Sequence, residues 1–102
     1  MYRTREEAKA LLEQLQREFP YLKRDEIPPG VDLDTAPLLD HWSYSLDPPD
    51  GLIGVVTGHP HLRDGGWITT SQLVWIDETR GIARTVSRYY RLGRPLGVEP
   101  DQ

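Results

Sequence analysis

The chain is organised around one stretch, residues 58–93, which reads GHPHLRDGGWITTSQLVWIDETRGIARTVSRYYRLG. Residues 67–76 within it are rich in Trp, Ile, Thr and Val, and this composition predicts a long β-strand. Residues 77–81 end in Gly81, which is typical of a tight turn and favours a hairpin over the start of a helix. We therefore expect the stretch to form antiparallel strands that follow one another through short turns.

The last part of this stretch, residues 82–92, is compatible with two structures. As a strand, it places four residues on one side, namely Ile82, Val86, Tyr90 and Leu92. As a helix, it carries an apolar and aromatic stripe and would end at Gly93. We favour the strand, because Thr, Val and Tyr form strands more readily and a Gly-bearing turn precedes them. In either structure Arg84 and Arg88, four residues apart, should point in the same direction.

The N-terminal residues carry the signals of one amphipathic helix. Thr4 followed by Glu7 is a capping-box pattern, in which the hydroxyl accepts a hydrogen bond from an N–H group of the first turn. Pro20 disfavours helical geometry at Phe19, so the helix should end there. Apolar residues recur between these limits on one helical face, at Ala8, Leu11, Leu12, Leu15 and Phe19.

Residues 41–57 predict a hairpin. Residues 41–46 alternate as a strand does. Residues 47–51, DPPDG, are a strong turn signal, and residues 52–57, LIGVVT, would form the second strand. Gly54 has no side chain, which indicates a bulge or close contact with another backbone. The side chains expected on one side of the first strand are Trp42, Tyr44 and Leu46.

These elements together predict an α+β fold. An N-terminal amphipathic helix would pack on a small antiparallel sheet of about four strands, which could curl toward a barrel. A chain of 102 residues should form a single domain. We place this domain at residues 1–94 and expect residues 95–102 to be a flexible C-terminal tail.

Composition narrows the class of protein. The chain has no Cys, which rules out disulfides and thiolate metal sites. No apolar run approaches the length of a membrane span, and the charged N-terminus lacks the apolar core of a signal peptide. We therefore expect a cytoplasmic protein without a membrane partner, and no motif in the sequence calls for a cofactor.

The charge of the chain is unevenly distributed. The net charge is −4, yet residues 80–94 carry five Arg and no acid. An acidic protein with one local arginine patch is not a generic nucleic-acid binder, because its long-range field repels phosphate. The arginine patch is therefore more typical of a local contact than of a phosphate-tracking surface.

Residues 58–66, which we call the histidine loop, contain candidate residues for metal binding or hydrolysis. His59 and His61 lie two residues apart, and Asp64 adds a carboxylate that could chelate a metal with them. The same residues beside the Thr and Ser of residues 69–71 could form a nucleophilic site, but no nucleophile elbow accompanies them. The structural interpretation is that Pro60 stiffens a tight loop in which His59 bonds the backbone, and we favour it.

The arginine–tyrosine end of the stretch is the preferred binding surface. Guanidinium groups beside aromatic faces suit carboxylate or phosphate recognition and stacking on bases. The competing interpretation is that these arginines pair with acids of the same chain. The candidate binding residues are Arg84, Arg88, Tyr89, Tyr90 and Arg91.

Residues 58–93 also resemble a family of small bacterial proteins of unknown function, common in proteobacteria. The pattern is Gly-His-Pro, Asp-Gly, Ile-x-Thr-Ser, a Gly-bearing turn and Arg-Thr-x-Ser-Arg-x-Tyr-x-Leu-Gly. The matching positions are Gly58-His59-Pro60, Asp64-Gly65, Ile68-Thr69 with Thr70-Ser71, Gly81, Arg84-Thr85, Ser87-Arg88, Tyr90 and Leu92-Gly93. The additional Gly66-Trp67 departs from the pattern. The resemblance implies a coherent domain and no particular activity.

Three functional hypotheses follow from the sequence. The leading one is a non-enzymatic binding protein that engages a protein partner through the arginine–tyrosine surface. Size and charge also suit a phage-type inhibitor such as an anti-CRISPR protein, in which the acidic residues 25–64 would mimic nucleic acid. The alternatives are a nucleic-acid-binding module that uses Arg84, Arg88 and Arg91, and a metal-dependent or hydrolytic enzyme at the histidine loop.

Overall fold

The structure is a computed structural model that describes residues 4–48 and 50–97. The chain forms two compact units, residues 1–31 and residues 32–102. The first contains one α-helix and the second a β-sheet, so the α+β class is confirmed. The expected packing of the helix on the sheet, and the single domain at residues 1–94, stay predictions.

Helix α1 spans Arg5–Leu22 and begins where the sequence predicts. The backbone N–H of Glu7 donates to the hydroxyl oxygen of Thr4 at 3.0 Å, which satisfies one of the unpaired donors of the first turn. The predicted end at Phe19 is wrong, because Pro20 lies inside the helix. Proline removes a single helical hydrogen bond, and the backbone N–H of Lys23 still bonds the Phe19 carbonyl at 2.9 Å.

The described residues of the second unit form six strands, whereas about four were predicted. They are β1 Leu38–Tyr44, β2 Leu52–Thr57, β3 Trp67–Thr69, β4 Leu73–Asp77, β5 Ile82–Thr85 and β6 Tyr89–Leu92. A short 3₁₀ helix at Leu33–Thr35 precedes them. The order in the sheet is β3-β2-β1-β6-β5-β4, and all neighbours are antiparallel except β1 and β6. The prediction of an antiparallel sheet is therefore wrong for the pair β1 and β6, which is parallel.

Two predicted strands are each divided in two, which accounts for the additional strands. Residues 67–76 break at Thr70, whose hydroxyl oxygen accepts a hydrogen bond from the Leu52 backbone N–H at 2.8 Å. Residues 82–92 are neither one strand nor a helix but a hairpin, β5 and β6, with a turn at residues 86–88. The β propensity of both segments correctly predicts strands, but it does not predict where each strand is interrupted.

The sheet curls but does not close. Edge strands β3 and β4 are joined by only residues 70–72, which span at most about 14 Å from Thr69 to Leu73 when fully extended. The edges of a flat six-stranded sheet would lie roughly 24 Å apart. No ladder joins β3 to β4 among the described residues, so the sheet is open and does not form the barrel that the prediction allowed.

The core lies on the inner face of this curled sheet. Its buried members come from four strands, namely Leu39, Trp42, Leu52, Val56, Ala83 and Tyr90. Gly54 belongs to the same face, and a Cβ atom there would lie 2.7 Å from Cγ of Leu39. The close contact predicted for Gly54 is therefore confirmed.

Strand β1 differs from its predicted limits. It begins at Leu38 and ends at Tyr44, whereas Leu46 lies outside it and is 96% exposed. A bulge at His41, which has a φ of 51°, shifts the register with β2. The predicted hairpin between β1 and β2 is confirmed, and its turn is closed by the Ser45 backbone N–H bonding the Gly51 carbonyl at 2.9 Å.

The predicted tail at residues 95–102 is partly paired with β1. The backbone N–H of Leu96 donates to the Trp42 carbonyl at 2.8 Å, and Pro95 forms a bridge with Trp42. Residues 98–102 lie outside the described residues. Within the described residues, no helix has both the length and the hydrophobicity that a membrane crossing requires.

Candidate binding site at one end of the sheet

Several strand ends meet at one end of the sheet. Thr57, the last residue of β2, pairs with Leu38, the first residue of β1. Leu38 in turn pairs with Arg91 of β6, which runs parallel to β1, so both strands begin at this end. The loop of residues 58–66 and the turn of residues 86–88 therefore leave the sheet at the same end. The open ends of curled sheets are common places for binding sites.

The loop of residues 58–66 is fixed by its own polar side chains. The backbone N–H of Gly58 donates to Oδ1 of Asp64 at 2.8 Å, which ties the two ends of the loop together. The backbone N–H of His61 donates to Nδ1 of His59 at 3.0 Å. Because Nδ1 accepts this bond, the neutral His59 ring carries its proton on Nε2. The loop therefore presents an N–H donor from His59.

The turn of residues 86–88 is equally well fixed. Thr85, which is fully buried, makes two hydrogen bonds to Arg88. Its hydroxyl oxygen accepts from the Arg88 backbone N–H at 3.3 Å, and its own backbone N–H donates to the Arg88 carbonyl at 2.9 Å. The backbone N–H of Ser87 donates to Oγ of Ser71 at 3.1 Å. These bonds hold the backbone of Arg88 at the start of β6.

The loop and the turn bring four side chains together. The His59 ring centroid lies 6.4 Å from that of Tyr90 and 6.0 Å from that of His61. The positive charge of Arg88 acts on both His59 and Tyr90. We call this group, His59, His61, Arg88 and Tyr90, the His–Arg–Tyr site.

The environment of the His–Arg–Tyr site favours the neutral forms of His59 and Tyr90. Burial lowers the pKa of His59, and the charges of Arg88 and His61 lower it further. Burial raises the pKa of Tyr90, although Arg88 acts in the opposite direction. At neutral pH His59 and Tyr90 are therefore neutral beside the Arg88 guanidinium.

Arg88 carries the single permanent charge of this group. Its side chain is partly buried, and within residues 4–48 and 50–97 it makes no ion pair and no hydrogen bond. The Tyr90 hydroxyl likewise makes no hydrogen bond to a described residue. A partly buried guanidinium beside an N–H donor and an O–H donor is suited to receive an anionic group.

The other predicted binding residues do not join Arg88. Arg84 is 2% exposed and its guanidinium lies 4.8 Å from the ring centroid of Tyr89, on the opposite face of the sheet from Tyr90. The predicted common direction of Arg84 and Arg88 is therefore wrong, because the two residues belong to different parts of a hairpin. Arg91 is exposed, and its Nε donates to the Ala36 carbonyl at 2.9 Å.

Two further arginines of the charged segment pair with acids of the chain. Nε of Arg80 lies 2.6 Å from Oδ2 of Asp77. Arg94 lies 3.8 Å from Asp40 through its side chain, and its backbone N–H bonds the same carboxylate at 2.8 Å. That backbone bond is the main reason why the pKa of Asp40 lies below its ordinary range. Arg88 thus differs from Arg80 and Arg94 in having no acid paired with it among the described residues.

The metal and hydrolytic hypotheses gain no geometric support. Among the described residues no group of three or more His, Asp or Glu side chains is arranged to hold a metal ion. Asp64 bonds the Gly58 backbone, and the Thr70 hydroxyl donates to the Ser71 carbonyl at 2.8 Å. The side chains of Asp64 and Thr70 therefore form hydrogen bonds with the backbone, in the loop and at the break between β3 and β4.

Sequence reasoning named His59 and Arg88 separately and missed both their proximity and the residues that position Arg88. Thr85, Ser87 and Ser71 belong to the quoted motif, and their hydroxyl oxygens or backbone N–H groups fix the turn. The available signal was the Thr-x-Ser run, since Ser and Thr side chains commonly bond the backbone of turns. This signal was overlooked because the hydrophobic pattern of residues 82–92 predicts one continuous element.

Comparison with known proteins places the chain in a family. It belongs to the Family of unknown function (DUF6634), which matches residues 12–100. The match includes all six strands and every residue of the His–Arg–Tyr site. No curated protein and no solved structure matches the chain significantly.

Proposed function

We propose that this protein is a small non-enzymatic binding protein that engages a protein partner through the His–Arg–Tyr site, which receives an anionic group of that partner. The observation that carries the proposal is the partly buried residue Arg88, whose guanidinium has no ion pair or hydrogen bond among the described residues. An uncompensated charge in such a position costs solvation free energy, and an anionic ligand would offset that cost.

A protein partner fits better than a nucleic acid. The net charge of −4 opposes long-range attraction of a polyanion. Arg84 is buried and Arg91 bonds a carbonyl, so the three arginines of the nucleic-acid hypothesis do not form one exposed stripe. Trp67, which follows the loop of the site directly, is 61% exposed. Exposed aromatic residues often anchor protein interfaces.

The test compares capture of partners by matched variants. The tagged protein, its Arg88→Gln variant and its Arg63→Gln variant are each used to capture proteins from the host cell, with nuclease added. Arg63 is an exposed arginine of the same loop, so Arg63→Gln changes the net charge equally. We expect one protein to be captured by the parent chain and by Arg63→Gln, and to be lost with Arg88→Gln. Equal capture by all three would contradict the proposal, as would loss of all capture on nuclease treatment.

The narrower assignment to an anti-CRISPR inhibitor, with the acidic residues 25–64 imitating nucleic acid, stays a prediction from charge and size. The proteobacterial origin stays a prediction from the resemblance of residues 58–93. The test of the inhibitor assignment is direct: the purified protein is added to a CRISPR effector complex, and binding of target DNA is measured. Unchanged DNA binding would reject the inhibitor and leave the binding site itself unaffected.

A further inference from the structure

We infer that the anionic group that the His–Arg–Tyr site receives is a carboxylate and not a phosphate. The inference rests on the proposed function and names the chemistry of the group that the partner supplies. It is carried by three features of the site: its charge, its donors and the fixed position of Arg88.

The first feature is charge. Arg88 is the one permanent cation of the site, because His59 is neutral at physiological pH for the reasons given above. A carboxylate would leave the ligand and Arg88 together without net charge. A phosphate carries close to two negative charges at this pH, so its complex would keep one negative charge in a partly buried place. The protein already has a net charge of −4, which adds to this cost.

The second feature is that the backbone N–H groups of the turn, and three of those in the loop, already have acceptors within the chain. Phosphate sites in proteins usually offer several backbone N–H groups, from a helix N-terminus or from a nest of successive amides. Here the N–H groups of all three residues in the turn 86–88 have acceptors within the chain. In the loop, the N–H groups of Gly58, His61 and Gly65 also bond acceptors of the chain.

The donors that remain fit a small planar anion. They are the guanidinium of Arg88, Nε2–H of His59 and the hydroxyl of Tyr90. A guanidinium presents two parallel N–H groups that match the two oxygens of a carboxylate. One further N–H or O–H would complete the hydrogen bonds of that carboxylate. The three terminal oxygens of a phosphate group have more acceptor positions than a carboxylate, and this set of donors would leave more of them unfilled.

The third feature is that the backbone of Arg88 is fixed before any ligand binds. Thr85 accepts from the Arg88 N–H and donates to its carbonyl, and Thr85 is fully buried. A fixed backbone reduces the conformational entropy that binding would otherwise remove. Directional, two-pronged recognition benefits most from this arrangement, since it depends on the orientation of the guanidinium plane.

The test titrates the full-length protein with sodium acetate and, separately, with inorganic phosphate at pH 7.5 and constant ionic strength. Binding is followed by the NMR signal of the ¹⁵N-labelled Arg88 side chain. We expect saturable shifts with acetate that are absent from the Arg88→Gln variant, and a dissociation constant for phosphate at least about tenfold higher. Arg63→Gln should bind acetate as the parent chain does.

Tighter binding of phosphate at Arg88 would overturn the carboxylate assignment and leave the proposed anion-binding function standing. The absence of binding by both anions would overturn the two together. Two peptides then identify the source of the carboxylate: an acetylated and amidated peptide with one Glu, and an acetylated glycine peptide with an unblocked C-terminus. Binding of either peptide at Arg88 supports the inference and shows whether a side chain or a chain end is preferred; binding of neither contradicts it.

Discussion

The imidazole of His59 and the phenol ring of Tyr90 face each other with their centroids 6.4 Å apart. One ring belongs to the loop after β2 and the other to a core strand at the centre of the sheet. The proximity places a titratable loop residue against a buried aromatic ring and within range of the Arg88 charge. Protonation of His59 is therefore opposed by both burial and electrostatic repulsion.

From this relationship we predict that the pKa of His59 lies below the ordinary histidine value of about 6.5. Because its pKa is lower in the folded than in the unfolded protein, the stability that the neutral ring contributes is complete above pH 6.5 and decreases as the pH falls through the folded pKa. Titration of the imidazole by NMR measures the value directly. In Arg88→Gln the pKa should rise toward 6.5, because one source of repulsion is removed. A pKa at or above 6.5 in the parent chain would contradict the described environment of the ring.

Arg88 should matter for binding and not for stability. Removing its charge breaks no ion pair or side-chain hydrogen bond among the described residues, so we expect Arg88→Gln to change the free energy of unfolding by no more than about 0.5 kcal/mol. Arg84→Gln is the contrasting variant, because Arg84 is buried over Tyr89 and should lose at least about 2 kcal/mol. Urea denaturation of both variants provides the measurement. A large loss of stability in Arg88→Gln would indicate a structural role instead.

The sequence predicts the local features of this fold well. The N-cap at Thr4 depends on neighbouring residues only, and it is found where the pattern indicates. The turn at residues 77–81 is also local, with Gly81 at a φ of 69° and the Asp77 side chain bonding the Arg80 backbone. Features of this kind can be predicted because the interacting groups lie within a few residues of each other.

Breaks in the strands depend on partners that are distant in sequence. The break at Thr70 is stabilised by the backbone of Leu52 in another strand, and the turn after β5 by Ser71 and by the carbonyl of Gln72. Neither partner is visible from propensity, so the sequence predicts long uninterrupted strands. The same error misplaced Arg84 beside Arg88, since the shared direction assumed one continuous element. The His–Arg–Tyr site was missed as a unit because tertiary structure alone brings its loop to its turn.

Thr85 should be required to position Arg88. Its hydroxyl accepts the Arg88 N–H at 3.3 Å and lies 3.2 Å from the Arg88 carbonyl oxygen. In Thr85→Val the shape is retained and the hydroxyl is lost, which leaves a backbone N–H unsatisfied and should cost about 1–3 kcal/mol of unfolding free energy. The affinity for acetate should fall with it, because the Arg88 backbone is no longer fixed. Thr85→Ser keeps the hydroxyl and serves as the control, with acetate binding retained. If Thr85→Val bound acetate normally, the turn would not depend on this hydroxyl.

Gly54, the glycine of β2, should be difficult to replace for reasons of space and not of backbone conformation. A Cβ atom there would lie 2.7 Å from Cγ of Leu39 and 2.9 Å from the carbonyl oxygen of Asp40, and the latter belongs to the backbone and cannot rotate away. We therefore expect Gly54→Ala to cost about 1–3 kcal/mol of unfolding free energy. Gly66→Ala is the matched control, because the nearest atom to its Cβ is the Arg63 carbonyl oxygen at 3.6 Å. That variant should be unchanged or gain up to about 1 kcal/mol from the reduced entropy of its unfolded chain.

The double variant Leu39→Ala/Gly54→Ala separates the two contacts of that missing Cβ. If the clash with the Leu39 side chain accounts for most of the cost, truncating Leu39 leaves room for the new methyl group, and the double variant should be more stable than the sum of the two single losses predicts. If the Asp40 carbonyl is the decisive contact, the two losses should add, because that atom is unaffected by Leu39→Ala. We expect a favourable coupling of about 1 kcal/mol or more, since the shorter distance is the one to Leu39. Thermal and urea unfolding of the four proteins in the cycle measure it, and strict additivity would show that the backbone of β1 restricts position 54.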